Sequence, residues 1–280
     1  MKKAFHETKI YGQHIPIQAF KEKDFSFMAH WHLDVELIYV LSGTIQIGIN
    51  SENRILSKGD FAICGSGDIH FYTSDDPESE VIIVIFRPDL IESFGSWPKF
   101  IRFVTPFMDK SQPFYENISK STLKRIEDIF RLLITEYEQK QSSYDMFIKG
   151  LLYEFCGIAL RNIPCCSTET KRDSKVFSEI KAIQLALNYL EDNYATDISL
   201  DDLAVHVYMS PFHFSRLFKK ICGTSFKTYL NTTRINKAET LLSTTDMPIV
   251  DIALDCGFNS VRTFNRVFKS IKGKTPSNGR

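Results

Sequence analysis

Two stretches near the C-terminus repeat each other at a fixed offset of fifty residues, and that repeat limits what the chain can fold into. Ser210-Pro-Phe-His-Phe-Ser-Arg-Leu-Phe-Lys-Lys-Ile-Cys-Gly223 aligns with Ser260-Val-Arg-Thr-Phe-Asn-Arg-Val-Phe-Lys-Ser-Ile-Lys-Gly273, and seven positions are identical. Each copy opens on a serine whose hydroxyl can accept an orphan first-turn amide, and each closes on a glycine suited to the left-handed conformation after a helix. Phe214, Leu217, Phe218 and Ile221 fall at i, i+3, i+4, i+7, as do Phe264, Val267, Phe268 and Ile271. Two helices, each with one buried stripe, are expected.

The opposite faces carry the chemistry. Phe212, Ser215, Arg216 and Lys219 share one face of the first copy; Arg262, Asn265, Arg266 and Lys269 share that of the second. Arg and Asn can make paired hydrogen bonds to guanine and adenine edges, while Lys meets phosphate as a mobile point charge. Upstream of each copy lies a second repeat, Asp202-Leu-Ala204 against Asp251-Ile-Ala253. A short helix, a tight turn and a longer basic helix make a helix-turn-helix, whose second helix enters the major groove. Gly257 serves the turn of unit two, whereas Val207-Tyr-Met209 makes the turn of unit one without glycine. A pair of hairpins that merely pack on a partner would not explain arginine at the same exposed place in both copies.

Residues 178–280 resemble the DNA-binding domain of the AraC/XylS family of bacterial transcription regulators. The two units, Ile249-Val-Asp-Ile-Ala-Leu-Asp-Cys-Gly-Phe258 and the closing Gly273-Lys-Thr-Pro276 carry the resemblance. It implies two units joined by a long helix, with both recognition helices on one face of the duplex. By position it implies that Phe212, Ser215 and Arg216 in unit one, and Val261, Arg262, Asn265 and Arg266 in unit two, face the bases. It also implies a homodimer, with RNA polymerase as a further partner and activation as an outcome.

Charge supports this assignment. The chain has no net charge, yet from Pro211 onward twelve basic residues stand against four acidic ones. A basic end on a neutral chain attracts phosphate without making the whole molecule cling to nucleic acid. Apolar content of 43% and charged content of 24% suit a soluble protein, and no apolar run is long enough for a membrane span. Met1-Lys-Lys-Ala-Phe-His lacks the apolar core of a signal peptide, so a cytoplasmic location without membrane partners is expected. The six cysteines include no Cys-x-x-Cys pair, which argues against a zinc finger or a thioredoxin-like site.

From Phe25 to Arg87 short β-branched runs alternate with turn signals, among them Leu37-Ile-Tyr-Val-Leu41, Ile45-Gln-Ile-Gly-Ile49, Phe61-Ala-Ile63 and Val81-Ile-Ile-Val-Ile-Phe86, with Asn50-Ser-Glu-Asn53 as a turn. Strands this short and regular suggest a small barrel or sandwich. The region resembles a cupin barrel: His30-Trp-His32, Glu36 and Gly43 follow the first cupin pattern. Gly59, Gly67 and His70 follow the second, with Gly65 and Ser74 in place of the usual proline and asparagine. Cupin enzymes hold a metal at the places of His30, His32, Glu36 and His70. Three readings stay open here: a metal centre, direct contact with a small polar effector such as a sugar, or a network that satisfies itself. Effector contact is expected, with no metal and no cofactor.

Two helices follow. Leu123, Ile126, Phe130, Leu133 and Tyr137 form a heptad-like seam, widened by Ile129, Leu132 and Ile134; Phe147, Leu151, Phe155 and Ile158 stripe the second helix. Both can cap the barrel, and one can supply a dimer interface. Pro164 to Lys175 is polar and reads as a linker. Helix resumes with Ile180, Ile183, Leu187 and Leu190, Ser199 and Asp202 form a capping box, and Phe226 to Leu242 is a strut about 25 Å long.

The expected fold is thus α+β: a cupin-like sensing and dimerisation domain over 1–163, a linker over 164–176, and an all-α double helix-turn-helix domain over 177–280. The expected function is a DNA-binding transcription regulator with no catalytic residues, its partners being double-stranded DNA and a small-molecule effector. The rival class is a metal-dependent cupin enzyme carrying a helical targeting domain.

Overall fold

The computed structural model describes Tyr11 and residues 15–91, 101–167 and 171–279. The chain divides into two compact units, the second built on Ser178–Arg280. Residues 1–10, 12–14, 92–100, 168–170 and 280 lie outside the described residues.

Among the described residues the first unit holds two large antiparallel sheets. The strands are β1 (Ile17–Lys23), β2 (Phe27–His30), β3 (Val35–Ser42), β4 (Thr44–Ile49), β5 (Glu52–Ser57), β6 (Phe61–Cys64), β7 (His70–Thr73), β8 (Glu80–Phe86), β9 (Ile101–Phe103) and β10 (Phe107–Met108). One sheet runs β1-β8-β3-β6-β10 and the other β2-β7-β4-β5. Ile38 and Val40 of β3 and Val81, Ile83 and Ile85 of β8 share a core with Ile45, Ile47 and Ile49 of β4. Their alternate neighbours Leu37, Tyr39, Ile82, Val84 and Phe86 belong to a separate core. Strands buried on both faces read as unbroken apolar runs, as Val81–Phe86 does. The Asn50-Ser51 corner turns with Asn50 at φ 52°, and pairing resumes at once with Glu52 and Asn53, the last two residues of the expected turn.

The second core lies under α1 (Lys120–Gln139) and α2 (Tyr144–Asn162). Ile126, Ile129, Phe130, Leu133 and Ile134 of α1 are buried there, Phe130 stacking on Tyr39 at 5.0 Å and meeting Phe155 edge-on at 5.4 Å. The heptad-like seam therefore faces its own sheet, and only Leu132 of the expected stripe is exposed. On α2 the inward line is Ile148, Leu152, Phe155 and Ala159, not the expected Phe147, Leu151, Phe155 and Ile158. Both lines are apolar at helical spacing. α1 selects the first, leaving Leu151 and Ile158 half-buried and Phe147 61% exposed.

The stretch expected as a linker contains paired backbone. β11 (Cys165–Ser167) lies antiparallel to β9, and α3 (Lys171–Asn193) begins within the same polar run. Ladder and helical hydrogen bonds need no apolar side chains, so the polar composition did not exclude them.

The second unit is helical. After α3 come α4 (Leu200–His206), α5 (Pro211–Cys222), α6 (Phe226–Thr244), α7 (Ile249–Asp255) and α8 (Val261–Lys272). Ile180, Ile183, Leu187 and Leu190 of α3 are buried, and Ser199 and Asp202 complete the capping box. α6 is a single helix of 19 residues, about 28 Å long. Arg234 on α6 is 9% exposed; its guanidinium donates to the carbonyls of Tyr194 and Thr196 at 2.7 Å each and lies 5.7 Å from the Phe258 ring. It ties the strut to the α3–α4 turn.

In β4, Gly48 lies directly across from Phe71 of β7, and a Cβ there would fall 2.0 Å from the Phe71 ring. Gly48→Ala should push that ring out of a packed position and cost about 1–3 kcal/mol, read as a lower urea midpoint with an unchanged m-value.

Candidate DNA interface and effector site

Two helix-turn-helix units are present, α4–α5 and α7–α8. Ser210 and Ser260 cap α5 and α8 by accepting from the amides of His213 and Thr263, and Gly223 and Gly273 end them at φ 73° and 70°. Phe214, Phe218, Phe264 and Phe268 are fully buried. The turns match hydrogen bond for hydrogen bond: Tyr208 N and Gly257 N donate to Val205 O and Leu254 O, and Met209 N and Phe258 N donate to Ala204 O and Ala253 O. Gly257 sits at φ 80° with the Ala195 carbonyl where a Cβ would need to be. Tyr208 holds the same left-handed place at φ 57° and is 95% exposed.

Phe212, Ser215, Arg216 and Lys219 are exposed on α5, as are Arg262, Asn265, Arg266 and Lys269 on α8. Val261 is half-buried against the α6–α8 core, so of the expected base-facing set it is the one that packs inward. Other basic residues are engaged inside the unit: Lys237 pairs with Glu191 at 2.6 Å and Lys272 with Glu239 at 2.7 Å, while Arg234 holds its two carbonyls. Among the described residues no ion pair engages Arg216, Lys219, Arg262, Arg266 or Lys269. Their charge is left for a partner.

His30, His32, Glu36 and His70 are brought together as the sequence predicts. All four are buried, and their ligating atoms lie within 4.8 Å of one another. Glu36 faces the interior because it shares the parity of Ile38 and Val40 on β3. His32 Nε2 lies 3.0 Å and His70 Nε2 3.5 Å from Glu36 Oε2. Tyr72, which the sequence reading missed, donates to Glu36 Oε1 at 2.6 Å. The signal for it was its place two residues after His70 on one strand. Burial disfavours charge on Glu36, yet the hydrogen bonds and charges of His32 and His70 outweigh it and hold the carboxyl well below the usual range. Burial, with Cys64 and Glu36 beside it, pushes the Tyr72 phenol well above its usual range.

The same residues fit a metal by donor chemistry. Each histidine Nδ1 lies on a main-chain carbonyl: His30 on Met28 at 3.0 Å, His32 on Asp34 at 3.1 Å, His70 on Asp68 at 3.0 Å. Because a carbonyl only accepts, each Nδ1 donates to its carbonyl, while Nε2 of His32 and of His70 faces the Glu36 carboxylate.

An interior polar cluster between two sheets, joined in one chain to a duplicated helix-turn-helix with uncompensated arginines, defines a ligand-binding unit coupled to a DNA-binding unit. Two family descriptions match: an AraC-like ligand binding domain over residues 17–156 and a helix-turn-helix domain over 203–280. The chain belongs to the AraC family of transcription regulators. It is similar to the melibiose operon regulatory protein of Escherichia coli (strain K12), 25% identical over 260 residues, covering 89% of this chain and 82% of that one. The arabinose operon regulatory protein of Salmonella typhimurium (strain LT2) is 28% identical over 248 residues, covering 85% and 82%. The regulatory protein PocR of the same Salmonella strain is 27% identical over 165 residues; the match covers 58% of this chain and spans half of PocR. Among solved structures, the DNA-binding domain of AdpA in complex with a target DNA is 28% identical, covering 35% of this chain and 86% of that chain at a TM-score of 0.33. Among the described residues no helix is long and apolar enough to cross a membrane.

Removing the phenol by Tyr72→Phe takes a donor from a buried carboxylate. It should destabilise the chain by about 1–3 kcal/mol, measured as a lower melting temperature with DNA binding retained.

Proposed function

We propose that this regulator reads its operator with Phe212, Ser215, Arg216, Lys219, Arg262, Asn265, Arg266 and Lys269, and that Val261 supports the second helix from its half-buried first turn. The observation that carries the proposal is the matched pair of exposed faces on α5 and α8. Both units present arginine at the same turn and lysine at the next, with no internal partner among the described residues. Arg266→Ala should relax base preference and cost about 1–3 kcal/mol on the preferred site, whereas Lys269→Ala should weaken binding to all sequences alike. Selection of bound fragments from random DNA by each variant is the measurement. Equal losses on every sequence from both would refute the assignment of readers.

The effector belongs at His30, His32, Glu36 and His70. Charge and hydrogen-bonding groups converge there inside an otherwise apolar sandwich, where they suit a small polar molecule. The names of the melibiose and arabinose regulators make a sugar the first class to try. The chain acts as regulator rather than enzyme, in the cytoplasm, and RNA polymerase is its further partner when it activates. Repeating the DNA selection with and without candidate sugars tests the effector; a sugar that alters DNA binding of the native chain but not of His32→Ala supports it.

The same reading makes the protein a homodimer. With the α1 seam buried, one exposed apolar surface among the described residues is a groove on α2 lined by Ser143, Met146, Phe147, Gly150, Leu151 and Glu154. Met146 and Phe147 are 70% and 61% exposed, and a Cβ at Gly150 would meet nothing within 4 Å, which leaves room for a second α2 to approach. Arg125 and Glu154 form a doubly hydrogen-bonded pair, 2.6 Å on each arm, that holds α1 to α2 beside the groove. Phe147→Asp should convert the dimer to a monomer in sedimentation while leaving binding to a single half-site intact.

A further inference from the structure

The two helix-turn-helix units differ at one residue of the turn, and nothing inside the molecule accounts for the difference. Tyr208 and Gly257 hold the same left-handed place, at φ 57° and 80°, and their amides donate to the equivalent carbonyls of Val205 and Leu254. In unit two the place excludes a side chain, because a Cβ on Gly257 would lie 2.7 Å from the Ala195 carbonyl oxygen. In unit one it carries a tyrosine. A residue with a Cβ is strained in this conformation, and glycine would close the same turn without strain.

The free chain does not offset that strain. The Tyr208 side chain is 95% exposed, and among the described residues no hydrogen bond, ion pair or ring contact engages it. Its amide is committed to the turn, so only the ring and the hydroxyl are available. Strain kept at so exposed a residue points to a partner outside the chain.

Position names that partner. Tyr208 lies two residues before Ser210, the cap of α5, whose exposed face carries Phe212, Ser215, Arg216 and Lys219. A recognition helix enters the major groove with its N-terminal residues against the bases, which leaves the preceding turn at the groove's edge, where the phosphates run. Tyrosine hydroxyls are among the neutral groups that bind phosphate oxygens and fix a protein's register on the duplex. On the reading faces α5 offers one arginine, whereas α8 offers two arginines and an asparagine. Unit one has fewer groups for paired hydrogen bonds and more use for an anchor on the backbone.

We propose that Tyr208 is a DNA-backbone contact of unit one. Its phenol donates to a phosphate oxygen beside the base pairs that α5 reads, and so sets the depth and register of α5 in the groove. The inference rests on the reading of α5 and α8 as recognition helices. It adds a residue from outside those helices and gives it a role without base preference.

The test uses the full chain on the DNA selected above. Tyr208→Phe removes only the hydroxyl and should lower affinity about 3–10-fold on every sequence alike. Because a phenol is neutral, the salt dependence of binding should not change, whereas Lys219→Ala should reduce its logarithmic slope by about 1. Ethylating the DNA phosphates one at a time should reveal one whose modification weakens binding of wild type but not of Tyr208→Phe. Tyr208→Gly should lose at least as much affinity as Tyr208→Phe. Relieved strain and a freer unfolded chain oppose each other in the glycine variant, so it should melt within about 4 °C of wild type. Wild-type affinity in both variants would overturn the proposal and leave the ring to a protein partner. A loss confined to some sequences would overturn it too, by moving the contact to a base edge. The reader assignment fails separately: it falls if Arg216→Ala and Arg266→Ala bind the same sequences with wild-type affinity, whatever Tyr208 does.

Discussion

The first unit depends on burying both faces of β3 and β8. An apolar strand pair cannot leave either face in water, so one face must meet the second sheet and the other must be covered by helices. That requirement places α1 and α2, uses the inner stripe of each, and sends Glu36 into the interior with the residues of its own parity. A carboxylate so placed is tolerable only with partners. The histidines of β2, the following segment and β7 supply them on one side and Tyr72 on the other. The polar cluster is therefore a consequence of the sheet's architecture.

The duplicated unit shows how one local solution is used with different chemistry. Caps, buried phenylalanines and turn hydrogen bonds are common to both copies, while the exposed residues differ. α5 offers an aromatic ring, a small hydroxyl and one arginine; α8 offers two arginines and an asparagine. The second helix has more groups able to make paired hydrogen bonds to base edges than the first. Even the turns diverge, since Tyr208 takes at some cost in backbone strain the conformation that Gly257 takes without it.

Features set by local spacing were legible in advance. The Ser210 and Ser260 caps, the Phe214/Phe218 and Phe264/Phe268 stripes and the Ser199–Asp202 box depend on neighbours within one or two turns, and each is in place. The convergence of His30, His32, Glu36 and His70 was legible because strand parity puts them on one side and the cupin pattern brings β7 alongside. Misreadings arose where tertiary contact chose between equal local options. α2 has two apolar lines one residue apart, and contact with α1 decided between them. Val261 lies on the border of the buried and open faces of α8, where spacing alone does not decide. The pairing of β11 with β9 joins residues over sixty positions apart by backbone groups, which leave no mark in composition.

Arg234, Lys237 and Lys272 carry a last consequence. Formal charge counts them with the DNA-binding residues, but each is committed to a carbonyl or carboxylate of its own unit. A lysine neutralised by a carboxylate of its own unit, as Lys237 and Lys272 are, displaces few condensed counterions when a duplex arrives. The entropy of ion release that drives association therefore comes from fewer sites than the twelve basic residues of this segment suggest. Arg234, Lys237 and Lys272 instead hold α6 to α3, to α8 and to the turn that follows α3.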